Sequence, residues 1–328
     1  MDQQLRQLAE TANIGTITSI EQSGSGYAST AYTITTSEGV FIALTAKPGG
    51  IAPPNYANGF AILKGLETTN YQYAPRAVHL SQDQASIIMT AVAGEPIDWV
   101  DSLDGDDQKH VAKTLLAALL DLHAVSFDSC NKYYHELTGT DLSPRTLAAD
   151  RQHYHADWFA HAAAGQPDET LRAWLEPKIQ LAANFVNHAQ PGKTISLIHG
   201  DTSNPNILVS PALQLHLIDW DGSAFHHFPD AMQDFGLAYV MNHVGLFQRH
   251  RDLVLQLSSE RCQMPIAQLQ ENITRLQEYI QIGDINWAYM MNARAAAGQV
   301  DGDPANYLNI AQERIAEYER RFGQSSLL

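Results

Sequence analysis

The chain has 328 residues, 45% of them hydrophobic, which suits two lobes better than one small core. Residues 1–93 carry four basic against six acidic side chains and residues 94–328 sixteen against thirty, an excess of acid that argues against nucleic acid and anionic membrane as partners. Two distant cysteines, Cys130 and Cys262, make neither a disulfide framework nor a metal spacing; without a leader pattern or an apolar run of about 18 residues, a cytoplasmic protein is expected.

Residues 2–12 have the spacing of a short amphipathic helix. Three strand-like runs follow, at 15–21, 31–36 and 40–46. The turn Ser37-Glu38-Gly39 makes the second and third a hairpin, and a loop holding Gly24 and Gly26 joins the first two. A helix-like segment covers 56–66, and runs at 76–78 and 86–90 complete a five-stranded sheet. From Asp106 the pattern turns helical, over 108–127 and ending near His123, which reads as a packed histidine. Further helices are expected near 146–164 and 168–188, then at 250–260, 264–282 and 303–322, with 285–297 between the last two. The histidines around 153–155 lack the H-E-x-x-H spacing of a zinc site.

The informative stretch is Ser196 to Asp221, SLIHGDTSNPNILVSPALQLHLIDWD. Short apolar runs at 207–209 and 215–218 are separated by turns, so it reads as a hairpin with polar residues at its ends. An Asp followed five residues later by an Asn, as in Asp201 and Asn206, is the arrangement of a kinase catalytic loop. In such a loop the Asp takes the proton of the attacking hydroxyl and the Asn gives its amide oxygen to magnesium. Asp219 follows eighteen residues after Asp201, far enough for a hairpin to return it to the loop. The plain alternative makes Asp201 and Asn206 turn formers and Asp219 a strand-end cap.

These residues resemble the aminoglycoside phosphotransferase family, which also includes kinases of choline, thiamine, homoserine and fructosamine. Its pattern H-G-D-x-x-x-x-N, then I-D-W-[DE], is met at every position by His199-Gly200-Asp201, Asn206 and Ile218-Asp219-Trp220-Asp221. The resemblance implies an α+β, two-lobed protein-kinase-like fold. Residues 1–93 would be a small antiparallel β lobe that binds nucleotide, and 94–328 a larger, mainly helical lobe for catalysis and acceptor binding. It implies transfer of the γ-phosphate of ATP or GTP, with Mg2+, to a hydroxyl of a small acceptor. Asp201 would be catalytic, and Asn206 and Asp219 would hold the metal.

By the same resemblance Gly24, Gly26 and Ser29 cover the phosphates, Ala91 and Val92 meet the adenine edge, and Met89 lines the pocket behind it. His199 and Asp234 brace the catalytic loop. Asp234-Phe235-Gly236 spells the protein-kinase DFG triplet, but Asp219 holds the corresponding place. Asp221, Asp230 and Trp287 are candidates for the acceptor side. The acidity of 94–328 fits either a cationic acceptor, such as an amino sugar, or ordinary surface solubility; no protein partner is indicated.

One departure stands out in the third strand. The lysine that pairs with the phosphates is missing, Ala43 falls at its counted position, and Lys47, on the same strand face, is the nearby substitute. Homoserine kinase–like members also show an L-T pair there, as in Leu44-Thr45. The missing lysine keeps open a nucleotide-binding regulatory pseudokinase, and the cluster of acids a metal-dependent hydrolase.

Overall fold

The computed structural model describes residues 2–26, 28–47, 54–163, 165, 168–188, 195–227, 235–300 and 302–323. In chain order its elements begin with α1 (Asp2–Ala12), β1 (Ile17–Ser25), β2 (Ser29–Thr36), β3 (Gly39–Ala46), α2 (Tyr56–Glu67), β4 (Ala77–Leu80) and β5 (Ser86–Thr90). There follow β6 (Glu95–Pro96), α3 (Gly105–Leu122), α4 (Phe127–Thr138), β7 (Arg145–Thr146), α5 (Leu147–Arg151), α6 (Trp158–Ala163) and α7 (Glu169–His188). Short strands β8 (Ile195–Ile198), β9 (Ile207–Val209), β10 (Leu215–Leu217) and β11 (Ala224–His227) come next. The chain ends with α8 (Phe235–His243), α9 (Gly245–Arg249), α10 (Arg251–Cys262), α11 (Ile266–Ala296) and α12 (Pro304–Phe322). It divides into two compact units, residues 1–143 with 196–225, and residues 144–195 with 226–328.

In the first unit, alternation along the strands decides which residues meet. The sheet runs β1-β2-β3-β5-β4, with Tyr32, Ala43 and Ile88 in cross-strand register. Cross-strand partners share a face. That face packs on α1, whose Leu5 and Ala9, with Ile14 just after the helix, form one core with Ile34, Phe41, Ala43 and Ile88. The other face carries Leu44, Ile87 and Met89, set against Tyr56, Gly59 and Leu63 of α2. The five-stranded sheet, the α1 helix and the β2–β3 hairpin agree with the sequence reading.

Two local expectations change. The glycine loop is shorter than expected, because β1 continues through Gly24, paired with Ala31 beyond a bulge. Only a tight turn remains, closed by Gly26 N–H donating to Ser29 O at 2.9 Å. The helix expected over 108–127 stops at Leu122, and a separate helix, α4, starts at Phe127. Ser126 accepts from Ser129 N–H at 3.4 Å and caps the start of α4. His123, at the end of α3, is half-buried. Cys130 is buried against α2, and burial pushes its thiol up to about 12.

The second unit is built around α11, one 31-residue helix where the sequence suggested a break near Gly283. Both residues at that point are held by neighbours. The His155 ring packs over Gly283, and His243 Nε2 lies 2.8 Å from Asp284 Oδ2. The segment expected as a helix over 146–164 contains a π-helical turn at Gln152–Asp157. A wide turn frees carbonyls, and Asn286 of α11 donates to Tyr154 O and His155 O at 2.8 and 2.9 Å. The β7 and β11 segments of this unit pair in parallel at Arg145 with His226. No single described helix is long and apolar enough to cross a membrane.

Candidate active site

The stretch expected to be catalytic contains the short hairpin β9–β10, within the first unit. Its base is tied to neighbouring chain by Leu217 N–H to Tyr73 O at 2.6 Å and Ile218 N–H to Asn206 O at 2.9 Å. Before it, Gly200 turns with φ +87°, and a Cβ there would lie 2.5 Å from Gly222 O. Only glycine fits such a turn without strain. Asp201 leaves this turn, and Asn206 closes on it through Nδ2, which donates to Asp201 O and to Asp201 Oδ2, both at 2.9 Å. With the amide N–H groups spent on Asp201, the Asn206 oxygen is the atom suited to a cation.

Asp219 sits just past β10 with φ +66°, a conformation a non-glycine residue adopts at a cost. Burial pushes its carboxyl up to about 8, helped by the charge of Asp221, a hydrogen bond to Asp221, and the charge of Asp201. Trp220 pins the turn between the two acids, donating from Nε1 to Leu217 O at 2.8 Å. His199 meets its indole edge-on at 4.6 Å. Burial lowers the His199 pKa to about 4, against the opposing pull of Asp201 and of the Ile218 and Asp201 backbones, so the ring is neutral. Neither ring nitrogen makes a regular hydrogen bond among the described residues. The backbone here is held by Ser223 Oγ donating to His199 O at 2.8 Å.

The helix α2 supplies residues that the sequence reading missed. Asn58 Nδ2 donates to Ser223 O at 2.6 Å and to Asp221 O at 3.4 Å, clamping the loop that carries the acids. Tyr56 Oη donates to Ser29 Oγ at 2.7 Å, and its ring lines the small pocket that holds Asp219 and Asp221. Burial pushes its phenol up to about 12. The available signal was a polar pair, Asn55 and Asn58, opening an otherwise apolar helix.

Of the residues expected at the site, Asp201, Asn206, Asp219, Asp221 and His199 come together in one unit. Met89 lines the pocket with Asp219, and Ser29 reaches it through Tyr56. Gly24 lies within β1, paired with Ala31, and Gly26 opens the tight turn of the first hairpin. Ala43 is not the residue that faces the site: it is fully buried on the α1 side, and Leu44 looks toward Asp219 instead. The cause is register, since Ala43 pairs with Ile88 and Leu44 with Ile87. Lys47 lies one residue past β3, its N–H donating to Ala28 O at 2.8 Å, and continued alternation puts it on the Ala43 side. Ala91 N–H donates to Val40 O at 3.0 Å, so that amide is spent within the sheet.

Trp287 stands in the second unit, beside Tyr307 and within 5.8 Å of the Arg314 guanidinium carbon. Asp230 and Asp234 lie outside the described residues. Among the described residues no three His, Cys, Asp or Glu side chains form a metal cage. Magnesium at a phosphate site does not need one, since it takes one or two carboxylates together with phosphate oxygens. The all-oxygen donors of Asp219 and Asn206, with carboxylates that repel one another, fit a hard divalent cation.

A sheet lobe with a helix on its inner face, joined to a hairpin presenting Asp, Asn and Asp, is the constellation of a phosphoryl-transfer site. The chain belongs to the phosphotransferase enzyme family, whose model matches residues 19–255, and it is a phosphotransferase. No curated protein matches the sequence. Solved structures share the protein-kinase-like fold at low identity. A mutant aminoglycoside 2'-phosphotransferase-IIIa in complex with GDP superposes with a TM-score of 0.62 at 16% identity, over 98% of this chain and 97% of that one. An ethanolamine kinase of Plasmodium vivax gives 0.60 at 14% identity, over 92% and 82%. A choline/ethanolamine kinase family protein from Mesorhizobium loti gives 0.60 at 12%, over 99% and 96%.

Proposed function

We propose that the protein is a small-molecule kinase that transfers the γ-phosphate of ATP or GTP to a hydroxyl of a small acceptor. The observation that carries this reading is the interlock of Asn206 with Asp201 beside Asp219, at the two ends of one hairpin. Asp201 accepts the hydroxyl proton and orients the oxygen for in-line attack. The Asn206 amide holds the Asp201 carboxylate in place for that step. Asp219 and Asn206 are the residues that would hold Mg2+, which when bound supplies neutralising charge to the phosphates. Residues 1–93 are assigned to nucleotide binding and residues 94–328 to catalysis and acceptor binding. An amine-bearing acceptor is supported by the acidity of 94–328 and by the aminoglycoside, choline and ethanolamine named for the similar structures.

Leu44 favours a second reading, a regulatory nucleotide-binding pseudokinase, because a leucine facing Asp219 gives the phosphates no positive charge. Turnover separates the readings. The protein is incubated with MgATP or MgGTP and amino sugars, macrolides, choline, thiamine or homoserine, and nucleoside diphosphate is measured. Acceptor-dependent release supports the kinase. Nucleotide binding without release supports the pseudokinase, and acceptor-independent free phosphate a hydrolase.

A further inference from the structure

The second unit holds a concave pocket of about 250 Å³ with walls from α8, α11 and α12. Arg314, Arg320, Arg321 and His243 line it, against two acids, Asp284 and Glu317. His243 is committed to its own partners, with Nε2 2.8 Å from Asp284 Oδ2 and Nδ1 2.8 Å from Tyr239 O. Glu317 answers Arg320 directly and Arg321 at 3.8 Å. Arg314 spends one N–H on Asp284 O at 2.8 Å, and Arg321 one on Asn242 Oδ1 at 3.0 Å.

Against the desolvation of its burial, the Asp284 carboxylate raises the pKa of His243, so the two pair as opposite charges; with Glu317 set against one arginine, two positive charges remain among the lining residues, in a chain whose formal charge is −16. The arginines are also crowded. Burial lowers the pKa of Arg321, and repulsion from Arg251 and Arg320 adds to this against the pull of Glu317. The wall is polar and incompletely satisfied besides: Gln281 is 5% exposed, donates to Arg314 O at 3.2 Å, and its Oε1 has no partner among the described residues.

We propose that this pocket binds a small phosphate monoester or free phosphate through Arg314, Arg320 and Arg321. Guanidinium forks bind phosphate and carboxylate alike. The charge decides between them, since a phosphate group carries about −1.5 to −2 near neutral pH and matches an excess of two, whereas one carboxylate does not. The site uses none of Asp201, Asn206 and Asp219, which belong to the other unit.

Calorimetric titration of the whole protein with inorganic phosphate and with glycerol phosphate, against chloride at equal ionic strength, tests it. Saturable one-to-one binding is expected, weakened about tenfold or more by Arg320→Glu, a loss of roughly 1.4 kcal/mol. Arg320 is exposed, so its reversal leaves the fold intact. Asp219→Ala should leave phosphate binding unchanged. No binding above the chloride control, equal binding by Arg320→Glu, or loss of binding in Asp219→Ala would each overturn the assignment. Free phosphate binding as tightly as the monoester would identify the phosphate group alone as the ligand.

Discussion

The two units handle buried charge in opposite ways. In the second, acids meet partners: Tyr318 Oη donates to Glu278 Oε1 at 2.6 Å, and His226 Nδ1 lies 3.1 Å from Asp150 Oδ2. These contacts sit between regular elements, and they hold helices and strands in register. In the first unit, Asp219, Asp221 and Asp201 are brought near one another on turns with positive φ at Gly200 and Asp219. Carboxyls gathered on strained backbone cost a fold stability, a cost that the proposed metal would offset on binding. Paired charges hold the second unit's elements together, and the crowded acids of the first are the ones proposed for the chemistry.

That contrast breaks most sharply at Asp219. Replacement by Ala removes a carboxyl whose ionisation is opposed by burial and by Asp221 and Asp201, so the ligand-free protein should melt at the same temperature or higher. Magnesium-dependent nucleotide binding and turnover should fall below detection. A variant that kept parental turnover would take Asp219 out of the metal site. Asp201→Asn is expected to fold and bind MgATP while kcat drops about 10²–10⁴-fold, the usual worth of a positioned base. The KM for ATP should hardly move, since the residue acts on the acceptor side.

The opposite pattern is expected at Glu278. Glu278→Leu leaves the buried Tyr318 hydroxyl without its acceptor, a loss of about 1–3 kcal/mol. A fall of several degrees in Tm with unchanged kcat per folded molecule is the outcome. A lost kcat at unchanged Tm would mean that the pair acts in the chemistry.

Acidity tests the same contrast without a mutation. Asp219 titrates near 8 in the folded chain and near 3.8 when unfolded, so the folded state holds the extra proton between those values. Its contribution to stability is therefore full below about pH 4, is lost as pH rises toward about 8, and is constant above. Magnesium takes the ionised form, so its affinity should rise with pH and level off above about 8, with proton release measurable by calorimetry in two buffers. Affinity independent of pH between 6 and 8 would place the metal elsewhere.

How much of this was legible depended on the range of the signal. The hairpin motif is local, with Asp201, Asn206 and Asp219 within one short stretch, and its turns and strands could be read directly. Strand facing was not, because one residue of register moves Ala43 and Leu44 between opposite faces of the sheet. The continuity of α11 through Gly283 depends on His155, more than a hundred residues earlier, and so left no local trace. Asn58 was hidden for the same reason, since its bonds to Asp221 and Ser223 span 163 and 165 residues.

Tyr56 tests the finest part of the comparison, where a neutral group touches the acidic cluster. Its hydroxyl joins Ser29, beside the tight hairpin turn, to the first residue of α2. Two residues further on, Asn58 holds the Asp221 loop, so a single helix end connects the two expected sides of a bound nucleotide. Phe at this position keeps the ring that fills the pocket and removes only the bond to Ser29. Such a bond is worth about 0.5–1.5 kcal/mol net. The cost should appear as a rise of up to about tenfold in the KM for ATP, because the turn is positioned less firmly while Asp201 is untouched. Ser29→Ala should do the same, and the double variant no more than either alone, since both remove one contact. Additive losses would show that Tyr56 and Ser29 act separately. A fall in kcat as large as that of Asp201→Asn would place the phenol in the chemistry and end the distinction between neutral support and crowded acids.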